Sequence, residues 1–228
     1  AAYTFGRAID YSSSFGLGLN VVDAGDLRLM RGLADYDIRH KLAMSYVYDF
    51  PAPKSGWARY AAGGWQISGI TILQSGSPFN VFCTQSFSPI KNTSGAIIGN
   101  AGCDFNADGL AWDFVNAPSF SKRDGWSRQQ WLTGAFPVSA FPKPGLGQNG
   151  TLGRNVFIGP AYLNTDVTLQ KRFLFGEKRE LDFRSEFYNV FNETNLTNIQ
   201  GDLSSSLFGH AQGAFPARNL QLGLKIIF

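Results

Sequence analysis

The sequence is short of charge. Asp, Glu, Lys and Arg make up 16% of its 228 residues, against roughly 25% in ordinary soluble domains. There is no run of Lys or Arg, and the formal net charge is only +3, so a nucleic-acid partner is not expected. No apolar stretch approaches the ~18 residues of a membrane-spanning helix, and helical periodicity is nearly absent. Histidine is scarce: His40 and His210 stand far apart in the chain. No H-E-x-x-H, G-x-S-x-G or phosphate-binding loop is present. These absences together argue against an enzyme. The first residue is Ala and no signal peptide opens the chain, so the expectation is a processed chain or a piece of a longer one. Cysteine occurs twice, Cys83 and Cys103, both within one Gly/Ser/Asn-rich stretch. That sparse, even count fits one disulfide in an oxidising compartment, or two unpaired thiols.

Aromatic residues and alternation are abundant. The chain holds 20 Phe and 26 Gly. Six segments alternate apolar and polar residues with the period of a strand. They are 2–10 (AYTFGRAID), 40–51 (HKLAMSYVYDFP), 64–76 (GWQISGITILQSG), 163–173 (LNTDVTLQKRF), 180–191 (ELDFRSEFYNVF) and 218–228 (RNLQLGLKIIF). In 163–173, Leu163, Thr165, Val167, Leu169 and Phe173 share one side, with Lys171 as the exception. The third segment is apolar on both sides in part, which leaves its register open. Pro51 ends the second strand.

The connections alternate in length: long (about 11–39), short (51–63), very long (about 80–160), short (174–179, with Gly176) and long (192–217). A loop of that greatest length argues against a compact soluble domain. A transmembrane β-barrel shows this asymmetry, with tight turns at one end and long extracellular loops at the other. The parity holds throughout: every long connection falls at one end and every short one at the other. Tyr46, Tyr48 and Phe50 precede one short turn, Phe173 and Phe175 flank the other, and Phe228 lies at the same end of its strand. Together they read as an interfacial girdle. A soluble β-sandwich would bring the apolar faces together in a core, but it explains neither the loop asymmetry nor the girdle. The fold class expected is all-β: an antiparallel transmembrane β-barrel segment of about six strands with long extracellular loops, the longest at about 82–160.

An ordered set of segments carries a family resemblance. YTFGRAID, RGLADYDIRHKLAMSYVYDFP, GGWQISGITILQSGSPFNV, CDFNADGLAWD, GTLGRNVFIGPAYLNTDVTLQKRF, LDFRSEFYNVFNETN and FPARNLQLGLKIIF occur in that order. The chain resembles, over nearly its whole length, the C-terminal barrel portion of TonB-dependent transporters of the Oar-like group. The resemblance implies an outer-membrane protein of a Gram-negative bacterium that takes up a bulky nutrient using energy delivered by the TonB complex. Such barrels have 22 strands and a plugged lumen, and six strands cannot close a barrel, since the smallest have ~8. The expectation is therefore a C-terminal part of one barrel domain, residues 1–228, with the plug and first strands lying elsewhere. Its partners would be outer-membrane lipid, the rest of its own barrel and plug, the TonB complex through the N-terminal part, and the barrel assembly machinery. Two rivals remain. One is a small self-contained porin or adhesin barrel, which needs further strands within 82–160. The other is a secreted carbohydrate-binding β-protein.

Several residues are candidate sites. CDFNADGLAWD contains D-x-N-x-D-G, the opening of a calcium loop, with Asp104, Asn106 and Asp108 at alternating positions and Gly109 at the sharp turn. The Leu110 carbonyl takes the seventh position, Asp113 the tenth, and Val115 stands where a full loop has Glu. The competing interpretation is a polar surface turn. No cofactor is required; a calcium ion in this loop is the one candidate. Asp166, Arg172, Asp182, Arg184, Glu186, Gln221 and Lys225 are expected to face the lumen, either lining a transport path or pairing across strands within the wall. Trp112, Trp126 and Trp131 are placed to stack on a ligand or to pack the loop against itself. The strand carrying Leu220, Leu222, Leu224, Ile226 and Phe228 is expected to face lipid. The resemblance adds that its aromatic end is the signal read by the barrel assembly machinery.

Overall fold

A computed structural model of the protein describes residues 1–13, 22–53, 55–110, 112–175 and 179–228. Six strands lie side by side in chain order in one antiparallel sheet: β1 (Ala2–Phe5), β2 (His40–Asp49), β3 (Trp65–Gln74), β4 (Tyr162–Phe175), β5 (Arg179–Tyr188) and β6 (Asn219–Ile227). The turn expected around Gly176 lies outside the described residues. β1 and β6 are the sheet's two edges, and the sheet does not close on itself.

The register puts like with like. Tyr3 pairs with Leu42, Leu42 with Leu73, and Leu73 with Leu163. Further along, Val167 pairs with Phe187 and Phe187 with Leu220. Since paired residues point to the same face, the alternating apolar stripes of the six strands fall on one face. The pairs Gln66–Gln170, Arg172–Asp182 and Asp182–Lys225 mark the other. The uncertain register of β3 is resolved here: Trp65, Ile67, Thr71 and Leu73 take the apolar face, and Ile70 and Ile72 take the polar one. Among the described residues, no core covers the apolar face. Leu222, Leu224 and Ile226 are all more than half exposed, and Phe228 is 95% exposed. Three details fit this face to an apolar surrounding. The hydroxyls of Thr71 and Thr165, opposite one another, share a 3.1 Å hydrogen bond. A Cβ on Gly69 would lie 2.5 Å from both the Asp166 carbonyl oxygen and the Tyr46 hydroxyl, so the tyrosine ring lies over a position that only glycine leaves free. Lys171, the exception in its strand, is buried. Its ammonium donates to the carbonyls of Tyr60 (2.8 Å), Ala61 (3.2 Å) and Gly63, and it stands over the rings of Trp65 and Phe173. Those carbonyls end a short helix, α1 (Trp57–Ala62), where a cation is favoured.

Two expectations need correction. The first segment does not run as one strand over 2–10. It leaves the sheet after Phe5, where Gly6 donates to the Arg39 carbonyl, and Ile9–Asp10 instead pairs with Gly32–Leu33 in a separate ribbon. The short connection 51–63 is not a bare turn, since it carries α1, with Trp57 and Tyr60 exposed.

The three long connections leave the sheet at one end, where Phe5–His40, Lys41–Gln74 and Tyr188–Asn219 pair. There they fold together into a cap. The buried apolar residues of the described structure belong to this cap. Val22 and Met30 come from the first long connection, Leu203 and Phe208 from the last, and Val81, Phe105, Phe114, Val115, Trp131, Phe136, Phe141, Leu152 and Phe157 from the longest. Phe136 is the hub, with the rings of Trp126, Phe141, Phe157 and Phe208 centred 5.2–5.5 Å away. The seams between connections are polar. Arg154, 4% exposed, binds Asp10, Asp35 and Ser13, and Asn155 donates to the Leu33 carbonyl and Asp35. Burial works to raise the Asp10 carboxyl's pKa, but the hydrogen bonds from Arg154 and Ser13 outweigh it and hold the group below its usual range.

Candidate functional site

The polar face of the sheet gathers the expected wall residues. Arg172 pairs with Glu180 at 2.9 Å and Asp182 at 3.5 Å, and Arg184 pairs with Glu186 along its own strand at 3.5 Å. Asp182 also accepts from Gln170 (3.1 Å), and Asp166 accepts from Asn164 and from the Asn189 backbone. The register sets Lys225 opposite Asp182 and Gln221 opposite Glu186. The wall is thus laced by ion pairs and amide–carboxylate bonds across and along the strands. Glu180, Gln170 and the Gln66–Asp49 pair (2.7 Å) belong to it too. A reading by alternation could have included them; the uncertain register of β3 hid Gln66.

Where sheet meets cap, a cleft of about 360 Å³ opens among Gln74, Phe79, Tyr162, Asn198, Ile199 and Phe215. Its lining combines the polar-face residues Gln74 and Tyr162 with side chains of two long connections. That volume lies within the usual range of small-molecule sites. The cap's tryptophans turn inward. Trp131 is buried, Trp126 packs on it with ring centroids 5.3 Å apart, and Trp112 stacks on Phe82 at 4.1 Å. Of the alternatives the sequence left open, these geometries match packing of the loop on itself. His40 accepts or donates one bond with the Tyr3 hydroxyl (2.8 Å), and the His210 ring contacts the carbonyls of Leu207 and Phe208.

Cys83 and Cys103 are joined as a disulfide, with Cα atoms 5.4 Å apart. The bond holds the candidate calcium loop from both sides. The Cys83 N–H donates to the Asp113 carbonyl (3.1 Å), and Cys103 directly precedes Asp104. Asp104 Oδ2 accepts from the Gly109 N–H (3.1 Å), while Asp113 Oδ2 accepts from the N–H groups of Phe105 (2.6 Å) and Asn106 (3.3 Å). Asn106 donates to the Val22 carbonyl and to Asn149, and Asn149 donates to Asp23, so the loop is also tied to the first long connection. Burial pushes the Asp113 carboxyl up to about 6; the two N–H bonds oppose this, and the carboxylates of Asp108 and Asp104 add to it. Among the described residues, no three His, Cys, Asp or Glu side chains stand together at metal-binding spacing.

One face without a covering core, one polar and paired face, and a folded cap at one end define a wall whose apolar side meets lipid. Backbone groups in lipid must be satisfied within the sheet, and among strands only a barrel does this. A family model described as "Outer membrane beta barrel domain" matches residues 1–221, and the chain belongs to that family. Its place is the bacterial outer membrane. No curated protein and no solved structure matches the chain.

Proposed function

We propose that this chain is the C-terminal wall and extracellular cap of a TonB-dependent transporter that takes up a bulky nutrient, such as a saccharide, a peptide or a metal chelate. The observation that carries this reading is the cap. Three long connections fold around one shared aromatic core over the end of a polar-faced sheet. A general pore needs an open mouth, whereas selective capture needs a folded mouth with a cleft at its base. The rim cleft at Gln74, Tyr162 and Asn198 is the entry point under this reading, and the wall of Asp166, Arg172, Asp182, Arg184, Glu186, Gln221 and Lys225 faces the plug. Unpaired β1 and β6 find their partners in the remaining strands of the same barrel, since open edges in lipid cost several kcal/mol per unsatisfied group. β6, with Leu220, Leu222, Leu224, Ile226 and Phe228, is the strand the assembly machinery engages. The TonB contact and the plug lie in the N-terminal part. The reading assigns no catalysis.

The rival small barrel would need strands within 82–160 to join the sheet. Among the described residues there, the strands present pair in small ribbons or as isolated bridges. The deciding experiment is uptake by cells with and without the full-length protein, using labelled oligosaccharides, peptides and ferric chelates, with and without a protonophore. One class should accumulate above its external concentration, and the protonophore should abolish that accumulation. Equilibration insensitive to the protonophore would refute energised transport in favour of a porin.

A further inference from the structure

We infer that the cap binds one calcium ion between Asp104 and Asp113, and that this ion locks the first and longest extracellular connections together. The inference stands apart from the transport reading. The observation behind it is a pair of stranded oxygens. Asp104 is 3% exposed and Asp113 is fully buried, and in each carboxylate Oδ2 is held by backbone N–H groups while Oδ1 is buried and accepts no hydrogen bond. Leaving a buried carboxylate oxygen without a partner is expensive, and two such oxygens in one short loop call for a shared cation. The loop carries hard oxygens in the order of a calcium loop: besides the two Oδ1 atoms, the Asn106 amide oxygen and the Asp108 carboxylate, which here accept from the Asp108 and Leu110 N–H groups and would turn to the ion, and the Leu110 carbonyl. Calcium takes six to eight ligands of this kind, carboxylate, amide, carbonyl and water together. Zinc would seek His or Cys, and the cysteines here are spent on their disulfide. Gly109, at φ 91°, makes the sharp turn, and a Cβ there would meet nothing, so the glycine serves backbone conformation rather than packing.

The surroundings explain what the ion would do. Asn106 reaches Val22 and Asn149, and Asn149 reaches Asp23. The Cys83 N–H bonds the Asp113 carbonyl. A cation at Asp104 and Asp113 therefore sits where the first connection, the disulfide and the far part of the longest connection converge.

The test uses the full-length protein in outer-membrane vesicles washed with EGTA. It is titrated with calcium alone, and separately with terbium(III), an oxygen-seeking luminescent ion that Trp112 is placed to sensitise. Saturable emission from one ion per protein, displaced by calcium, is expected, with half-saturation on the order of 10⁻⁴–10⁻³ M as for extracellular modules. Calcium should also slow external trypsin cleavage at Lys122 and Arg123 about tenfold or more. Asp108→Asn tests the ligand set without endangering the fold, because Asp108 is exposed and the amide keeps an acceptor for the Leu110 N–H. It should weaken calcium at least about tenfold at unchanged outer-membrane yield, while Asp124→Asn, a change at an exposed acid elsewhere in the same connection, should leave binding as it is. Failure of the parent protein to respond to millimolar calcium would overturn the inference. So would equal weakening by Asp108→Asn and Asp124→Asn, which would mark simple surface adsorption.

Discussion

Breaking the Cys83–Cys103 bond should loosen the cap and spare the wall. The two residues are 20 apart in sequence. In the chain-entropy account, closing a loop of about 20 residues removes about 11 cal/mol/K from the opened state, or about 3 kcal/mol at room temperature. Each 1.4 kcal/mol is a factor of ten, so reduction should raise the opened fraction of the cap about a hundredfold. Local opening sets the cleavage rate when reclosing is fast, and the exposed Lys91 and Lys122 lie in the affected connection. The assay is trypsin applied from outside to outer-membrane vesicles holding the full-length protein, before and after dithiothreitol, with thiol labelling to prove reduction. A Cys83→Ser/Cys103→Ser double variant gives the same comparison without reductant. Cleavage at Lys91 and Lys122 should quicken about a hundredfold, while the heat-modifiable migration of the barrel stays unchanged. A rate within twofold of the parent, with both thiols labelled, would refute the claim that the bond constrains the cap. Loss of heat modifiability would refute the separation of cap from wall.

Two further predictions follow from single buried side chains. Trp131→Ala removes a side chain that is 2% exposed and packs edge-on against Phe79 and Trp126; it should cost the cap about 3–5 kcal/mol, read as faster external proteolysis at normal outer-membrane yield. Lys171→Met strips the cation from the carbonyls of Tyr60 and Ala61. It should lower stability by about 1–3 kcal/mol, read as an earlier urea midpoint for the full-length protein, with Lys171→Arg falling between the two. An unmoved midpoint would show that the helix end does not depend on this lysine.

The wall was largely legible and the cap was not, for a physical reason. A strand with lipid on one side repeats every two residues, so Leu220, Leu222, Leu224 and Ile226 declare their face without any knowledge of neighbours. The same holds for Leu163, Val167 and Leu169. Legibility is lost where that rule weakens. In β3, Ile70 and Ile72 put apolar residues on the polar face, and the pairing with β2 and β4 was needed to decide the register. In the first segment, alternation continues past Gly6 while the pairing with β2 does not. The cap has no period to read. Phe105, Phe114, Trp131, Phe136 and Phe157 meet through contacts far apart in sequence, and their spacing along the chain carries no sign of it. The D-x-N-x-D-G run was visible as a pattern. That Asp104 and Asp113 each strand one buried oxygen was not.

The hydrogen-bonded hydroxyls of Thr71 and Thr165 bear on how such a wall finds its alignment. If one strand slides by two residues against the next, every apolar residue still faces lipid and the backbone ladder closes again. Hydrophobic pattern is blind to that error. Two hydroxyls shut away from water are not blind to it, because they satisfy each other at one alignment and are orphaned at the next. The threonine pair thus acts as a proofreading mark on the seam between β3 and β4, placed on the side where a mismatch costs most.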